Sequence, residues 1–234
     1  MNKQFQKRSI CITGCSRGLG KSIAQRFLLE NDYEVYAITR NPDSLADLKE
    51  NHEQDFQIIE ADISTEEGRE ATYNELKSLD ALDVLIHNAG KLLYKEFTDI
   101  SQSELLDIYN VNVFSPFLLT QKLFPLFNKT HIINISSVGG VEGSLKFKGL
   151  SAYSSSKAAL NCLTEMWSEE FKETNNAFNC LALGSVETEM FKEAFPGYTA
   201  SSTSEEMAEY IFNFAIEAQK VMRGKIISVS KSNP

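Results

Sequence analysis

Residues 13–20 read Thr13-Gly14-Cys15-Ser16-Arg17-Gly18-Leu19-Gly20. This stretch satisfies two patterns at once. Gly14-Cys15-Ser16-Arg17-Gly18 is a G-x-S-x-G element, the sharp strand-to-helix turn that presents a nucleophilic serine in some hydrolases. Gly14, Gly18 and Gly20 also make a glycine-rich turn of the kind that lets backbone approach a phosphate at a helix N-terminus. Both readings need a strand before the turn and a helix after it. S-I-C-I-T (9–13) and the apolar-periodic stretch 19–31 supply them.

Outward from the turn, short β-branched runs alternate with longer amphipathic ones. Strands are expected at 9–13, 33–39, 56–60, 83–87, 131–136, 177–183 and 225–230. Helices are expected at roughly 19–31, 42–51, 65–79, 102–127, 152–174 and 204–221. This alternation predicts the α/β class, with residues 1–234 as a single domain. The architecture is a doubly wound parallel sheet of about seven strands with helices on both faces. The least regular segments, 138–150 and 184–203, both follow strands. They therefore belong at the carboxyl edge of the sheet, where open α/β sheets bind their ligands.

Bulk composition narrows the function classes. Hydrophobic residues make up 42% of the chain, enough for a large core. A net charge of −9 disfavours broad binding to nucleic acid or to an anionic membrane. An anionic ligand then needs a local cluster of Arg or Lys. The four cysteines form no C-x-x-C pair, no metal-ligand spacing and no disulfide framework, so no metal is expected and a reducing cytoplasm fits. The opening M-N-K-Q-F-Q-K-R-S is polar and too short for a signal peptide, and no apolar run approaches the length of a membrane span.

A hydrolase of the α/β type needs Ser, then an acid, then a late His. The only histidines are His52, His87 and His131, and the last two fall within expected strands. The hydrolase reading of Ser16 is therefore the weaker one. A second chemistry is written further along. Tyr153-Ser154-Ser155-Ser156-Lys157 puts a phenol and an ammonium one helical turn apart, just after the irregular loop 138–150. The free phenol pKa near ~10 is too high for efficient proton exchange at neutral pH, and a neighbouring cation lowers it. Tyr73-Asn74-Glu75-Leu76-Lys77 has the same spacing, but lies in the helix before the fourth strand, away from the ligand edge. It reads as a surface pair.

T-G-x-x-x-G-x-G behind the first strand, Asn88-Ala89-Gly90 behind the fourth, Ser137 closing the fifth and Tyr153-x-x-x-Lys157 together resemble the short-chain dehydrogenase/reductase family. The resemblance spans roughly residues 8–190. It implies a Rossmann-like fold, a nicotinamide cofactor, and hydride transfer between that cofactor and a ketone or aldehyde. It also implies catalytic roles for Asn112, Ser137, Tyr153 and Lys157. The cofactor would contact Gly14, Ser16, Arg17, Gly18, Leu19 and Gly20 in the turn, Thr39 and Arg40 after the second strand, and Asp62 and Ile63 after the third. Further contacts would come from Asn88, Ala89 and Gly90, from Tyr153 and Lys157, and from Gly184, Val186 and Thr188 after the sixth strand. Thr39 stands where an NAD-binding acid is usual, and Arg40 and Arg17 add two cations, which favours NADP(H). As isolated side chains, the two arginines read equally as solvated charges, and Asp62 reads equally as a helix N-cap.

The chain departs from the family pattern in five places, one of them Ser115-Pro116-Phe117 where Gly-Pro-Phe is more usual. His87 replaces a common Asn, and Leu183 replaces a proline, which loosens that loop. Ser137 and Tyr153 lie 16 positions apart, a longer spacing than is common. The chain end lacks a frequent glycine pair. A non-catalytic NADP-sensing protein is thus the alternative to an enzyme. A substrate loop is expected at about 187–203, carrying Met190, Phe191, Phe195 and Tyr198, with Leu145 and Phe147 across the cleft. Lys146 and Lys148 either greet an acidic substrate or are merely solvated. Helices 102–127 and 152–174 are apolar over wide arcs, and related enzymes dimerise through them. A homodimer or homotetramer acting on a small-molecule carbonyl substrate is the resulting expectation.

Overall fold

The structure, a computed structural model, describes residues 7–231. Most of the polar opening stretch and the last three residues lie outside the described residues. Seven strands form one sheet: β1 (Arg8–Thr13), β2 (Tyr33–Thr39), β3 (Phe56–Glu60), β4 (Leu82–His87), β5 (Phe127–Ser137), β6 (Ala177–Leu183) and β7 (Lys225–Val229). Their order is β3-β2-β1-β4-β5-β6-β7, and every neighbouring pair is parallel. The helices are α1 (Gly18–Leu28), α2 (Ala46–Asn51), α3 (Glu66–Leu76), α4 (Gln102–Tyr109), α5 (Ser115–Leu123), α6 (Ser151–Glu170), α7 (Glu189–Ala194) and α8 (Ser204–Glu217). The arrangement is Rossmann-like. Strand order reverses between β1 and β4, which opens a crevice above their carboxyl ends.

Central strands are buried on both faces, so they read as continuous apolar runs. β6 is buried along its whole length, while β7 at the sheet edge is half-buried. Side chains alternate across the sheet with period two. Ile10 and Ile12 join a core with Ile23 and Phe27 of α1 and Ile211 and Phe212 of α8. Cys11, between them, joins the opposite core with Leu119, Leu123, Trp167 and Phe178. No helix among the described residues is long and apolar enough to cross a membrane.

The expected helix 102–127 is not continuous. It is α4, then a π-helical segment Asn110–Phe114, then α5, then a 3₁₀ turn Phe124–Leu126; Phe127 already belongs to β5. Pro116 explains the first break. It has no N–H to close an α-helical bond on the Asn112 carbonyl, and its ring crowds that carbonyl. The Ser115 N–H reaches back five residues to the Asn110 carbonyl instead. Pro125 falls in the 3₁₀ turn where the second break occurs. The expected loop 187–203 likewise contains the short helix α7, capped by the Thr188 hydroxyl, which accepts from the Phe191 N–H at 3.1 Å.

Candidate active site

The glycine turn is built by close approach. Gly14 and Gly18 have φ of 75° and 53°, a left-handed conformation that favours glycine. A Cβ on Gly20 would lie 2.2 Å from the Gly14 carbonyl oxygen and 2.5 Å from Asn88 Nδ2. The first turn of α1 therefore sits directly on the T-G corner. Asn88-Ala89 is latched to the same corner. Thr13 Oγ1 accepts from the Asn88 and Ala89 N–H groups at 3.1 and 2.9 Å, and Asn88 Nδ2 donates to the Thr13 and Gly14 carbonyls. Two sequence motifs 75 residues apart thus form one structural unit. Cys15 is buried and donates to the Ile12 carbonyl. Leu19 is buried in the core beneath the turn, and Ser16 is half-buried.

Arg17 occupies the N-cap position of α1, and its guanidinium pairs with Glu193 of α7 at 3.0 Å. Arg40 is largely exposed and lies 3.8 Å from Asp62. Asp62 Oδ1 accepts from the Ser64 N–H and hydroxyl. Burial raises the Asp62 pKa, and the Ser64 hydrogen bonds with the Arg40 charge outweigh it, leaving a net lowering. Asp62 is not the cap of α3. Thr65 is, accepting from the Gly68 N–H. Ile63 and Thr39 are both buried, with the Thr39 hydroxyl accepting from the Asn41 N–H.

The second group gathers above β4 and β5. Asn112 lies in the π segment, where its side-chain amide clamps Lys91. Oδ1 accepts from the Lys91 N–H at 2.8 Å, and Nδ2 donates to the Lys91 carbonyl at 2.9 Å. Nδ2 also donates to the buried Ser156 hydroxyl. Lys157 Nζ donates to the Ile135 carbonyl at 2.8 Å and lies 6.0 Å from the Tyr153 ring centre. A Cβ on Gly90 would fall 3.4 Å from that ammonium and 3.5 Å from Asn112 Oδ1. Ser137 closes β5, its hydroxyl accepting from the Gly139 N–H and also meeting Tyr153. Asn112, Ser137, Tyr153 and Lys157 are thus neighbours at the carboxyl edge, beside the latched glycine turn.

Electrostatics correct one expectation. Burial pushes the Lys157 ammonium down to about 8. Burial also raises the Tyr153 phenol, and the Ser137 hydrogen bond only partly offsets it. The net shift of the phenol is therefore upward, opposite to the expected lowering. Tyr73 and Lys77 do not pair. Lys77 bonds Asn74, and Lys122 lies over the Tyr73 ring. The hydrolase reading also lacks its base. His87 Nε2 pairs with Thr120, and His131 is held between the Ala215 carbonyl and Asn179. Burial holds both imidazoles low, to about 3 and about 4 respectively, so both are neutral inside the sheet.

A family model for short chain dehydrogenase matches residues 8–199. The chain belongs to the short-chain dehydrogenase family. Among its relatives is the rhamnolipids biosynthesis 3-oxoacyl-acyl-carrier-protein reductase of Pseudomonas aeruginosa, 32% identical, with 95% of this chain and 94% of that protein covered. The 3-oxoacyl-acyl-carrier-protein reductase FabG of Aquifex aeolicus is 26% identical, with 98% of each covered. The solved Pseudomonas aeruginosa RhlG/NADP active-site complex superposes with a TM-score of 0.84 at 28% identity, covering 98% of each chain.

The region after β6 of this short-chain dehydrogenase explains the missing proline. Leu183 is a buried strand-end residue, paired in register with Ser137 and Val229. The Gly184 N–H donates to the Val229 carbonyl. Val186 is buried and bridges to Ser202. Strand pairing therefore supplies the rigidity that the sequence reading assigned to proline. α7 begins against the glycine turn: a Cβ on Gly18 would lie 3.1 Å from Glu189 Oε2 and 3.2 Å from the Thr188 methyl. Lys146 is spent inside its own loop, on the Gly139 and Val141 carbonyls and the Ser144 hydroxyl, and Lys148 pairs with Glu96.

Sequence reasoning missed three contributors. Ser156 holds Asn112 from inside the Y-x-x-x-K stretch. Gly140 lets α6 pack on the loop after β5; a Cβ there would lie 2.7 Å from the Ala158 nitrogen. Tyr94 meets Phe195 edge-on, with ring centres 5.4 Å apart, and packs on Gly149. None of the three belongs to a spacing pattern, so no sequence signal marks them.

Proposed function

We propose that this short-chain dehydrogenase uses NADP(H) to interconvert a ketone or aldehyde and the corresponding alcohol. The observation that carries the reading is the placement of the Tyr153–Ser137–Lys157 group beside the glycine turn, at the edge where strand order reverses. The turn fits a dinucleotide. Its glycines leave only backbone at Gly14 and Gly20, and the first N–H groups of α1 are available to a pyrophosphate. Arg40 and Arg17 would hold the 2′-phosphate beside Thr39, where a carboxylate would repel it. Asp62 and Ile63 would flank the adenine. Asn88-Ala89-Gly90 would flank the ribose, and Gly184, Val186 and Thr188 the carboxamide.

When bound, NADPH supplies the hydride that reaches the carbonyl carbon. The Ser137 hydroxyl donates a hydrogen bond to the substrate oxygen and stabilises its growing charge. The Tyr153 hydroxyl delivers the proton to that oxygen. The Lys157 ammonium stabilises the phenolate left behind. Asn112 fixes the segment after β4, and its main-chain carbonyl, denied an α-helical donor by Pro116, connects Lys157 to solvent through water. Leu183 lends no support to a non-catalytic reading, because it is an ordinary strand end.

The cofactor assignment has its own test. Arg40→Asp is expected to move the NADPH/NADH affinity ratio towards NADH by roughly tenfold or more, since a charge-assisted bond becomes a repulsion. Isothermal titration with both nucleotides measures it, and an unchanged ratio contradicts the assignment.

A homo-oligomer in the cytoplasm completes the reading. The wide apolar arcs of the sequence divide in the fold. Ile108, Leu160 and Trp167 are buried in the core, whereas Leu105, Leu106, Phe114, Phe117 and Met166 remain exposed on α4, α5 and α6 and the π segment. A second copy would cover them. Light scattering is expected to report a dimer or tetramer, and Leu106→Glu with Phe117→Glu to shift it towards monomer. A monomeric parent protein removes the proposal.

A further inference from the structure

The three segments that rim Tyr153 follow β4, β5 and β6, and all three present apolar side chains outward. Tyr94 and Phe97 come from the first, Leu145 and Phe147 from the second and Tyr198 from the third, and all five are exposed. They are tied together by one residue. The Tyr94 ring packs where a Cβ on Gly149 would lie 2.9 Å from it, and the Lys95 N–H donates to the Gly149 carbonyl at 2.9 Å. On its other side Tyr94 meets Phe195 edge-on, and Phe195 in turn meets Phe191 at 5.3 Å. Tyr94 is four residues beyond Gly90, whose backbone faces the Lys157 ammonium. Through Gly149 and Phe195, Tyr94 joins the segments after β4, β5 and β6.

Charge at the same mouth is already balanced. Lys95 pairs with Glu104, Lys148 with Glu96 and Lys192 with Glu187. Lys91 pairs with Asp107, and Lys146 is held by its own loop. A phosphate or carboxylate on a substrate would have to displace one of these partners, an exchange with little net gain at the surface. The net charge of −9 further opposes an acidic carrier.

On the reading of the site as an NADPH-dependent carbonyl reductase, we propose that its substrate is a neutral, apolar ketone or aldehyde. Its aromatic or branched side seats on Tyr94 beneath Phe191 and Phe195, and Tyr94 sets the preference. The site does not favour an acyl thioester on an acidic carrier. In the reaction the carbonyl carbon gains the hydride, its oxygen gains the Tyr153 proton, and NADPH leaves as NADP⁺.

The test is steady-state NADPH oxidation with 1-phenyl-1,2-propanedione and with acetoacetyl-CoA, in parent protein and in Tyr94→Ala. Binding of NADPH is measured separately. The expected kcat/KM is at least about tenfold higher for the aromatic dione. Tyr94→Ala should raise KM for the dione by about tenfold, leaving kcat and the NADPH Kd near their parent values. Tyr94→Phe should retain the parent KM. Equal or better use of acetoacetyl-CoA, a KM indifferent to Tyr94→Ala, or no dione reduction while NADPH binds would each overturn the inference without touching the cofactor reading. Failure to bind NADPH would instead remove the reading beneath it.

Discussion

Tyr153→Phe is expected to lower kcat by roughly 10²–10⁴-fold, the range for losing a positioned proton donor, while NADPH binds as before. The hydroxyl is the only atom removed. The ring keeps its place at the start of α6, and Ser137 keeps its hydrogen bond from the Gly139 N–H. Loss of turnover with cofactor affinity intact would therefore place the defect in the chemical step. The pH profile carries the same signature. Lys157 is pushed down to about 8 by burial, so its cation dominates at neutral pH, is half lost at about 8 and is gone well above it. Carbonyl reduction should hold level near neutral pH and fall with a midpoint at about pH 8. Unchanged kcat in Tyr153→Phe would remove Tyr153 from the mechanism.

Gly20→Ala is expected to weaken NADPH binding on the order of 10²-fold, the cost of an ångström-scale misplacement in a positioned site. The added methyl would lie 2.2 Å from the Gly14 carbonyl oxygen, so backbone must move. Its other near neighbour is Asn88, whose side chain bonds the Thr13 and Gly14 carbonyls. The methyl thus separates the glycine turn from the Asn88-Ala89-Gly90 segment as well as lifting α1. Overpacking of this kind costs roughly 1–3 kcal/mol, which thermal unfolding would register as a lower Tm. A variant with parent Tm and parent Kd would show that the close approach is not needed.

Much of this was legible in the sequence, and the parts that were not share a cause. β2, β3 and β6 match their expected bounds because each is a short run rich in β-branched and aromatic residues, bounded by polar or turn residues. The glycine turn and Tyr153-x-x-x-Lys157 were legible because their chemistry is local, a tight corner and one helical turn. The π segment at Asn110–Phe114 was not, since Ser115-Pro116 reads as an ordinary helix start and its effect on the carbonyl four residues back appears only in the fold. α7 spans six residues, too few for a periodic signal. Tyr94 and Ser156 act through neighbours distant in sequence. The direction of the Tyr153 shift is not legible in the sequence either, because spacing gives proximity to Lys157 but not the burial that raises the phenol.

The measurement closest to the central claim is a titration of the purified protein with NADPH and with NADH, followed by nicotinamide fluorescence. The account predicts saturable NADPH binding, with NADH weaker by at least about tenfold. Tighter binding of NADH would contradict the roles of Arg17 and Arg40, and binding of neither nucleotide by folded protein would contradict the account as a whole.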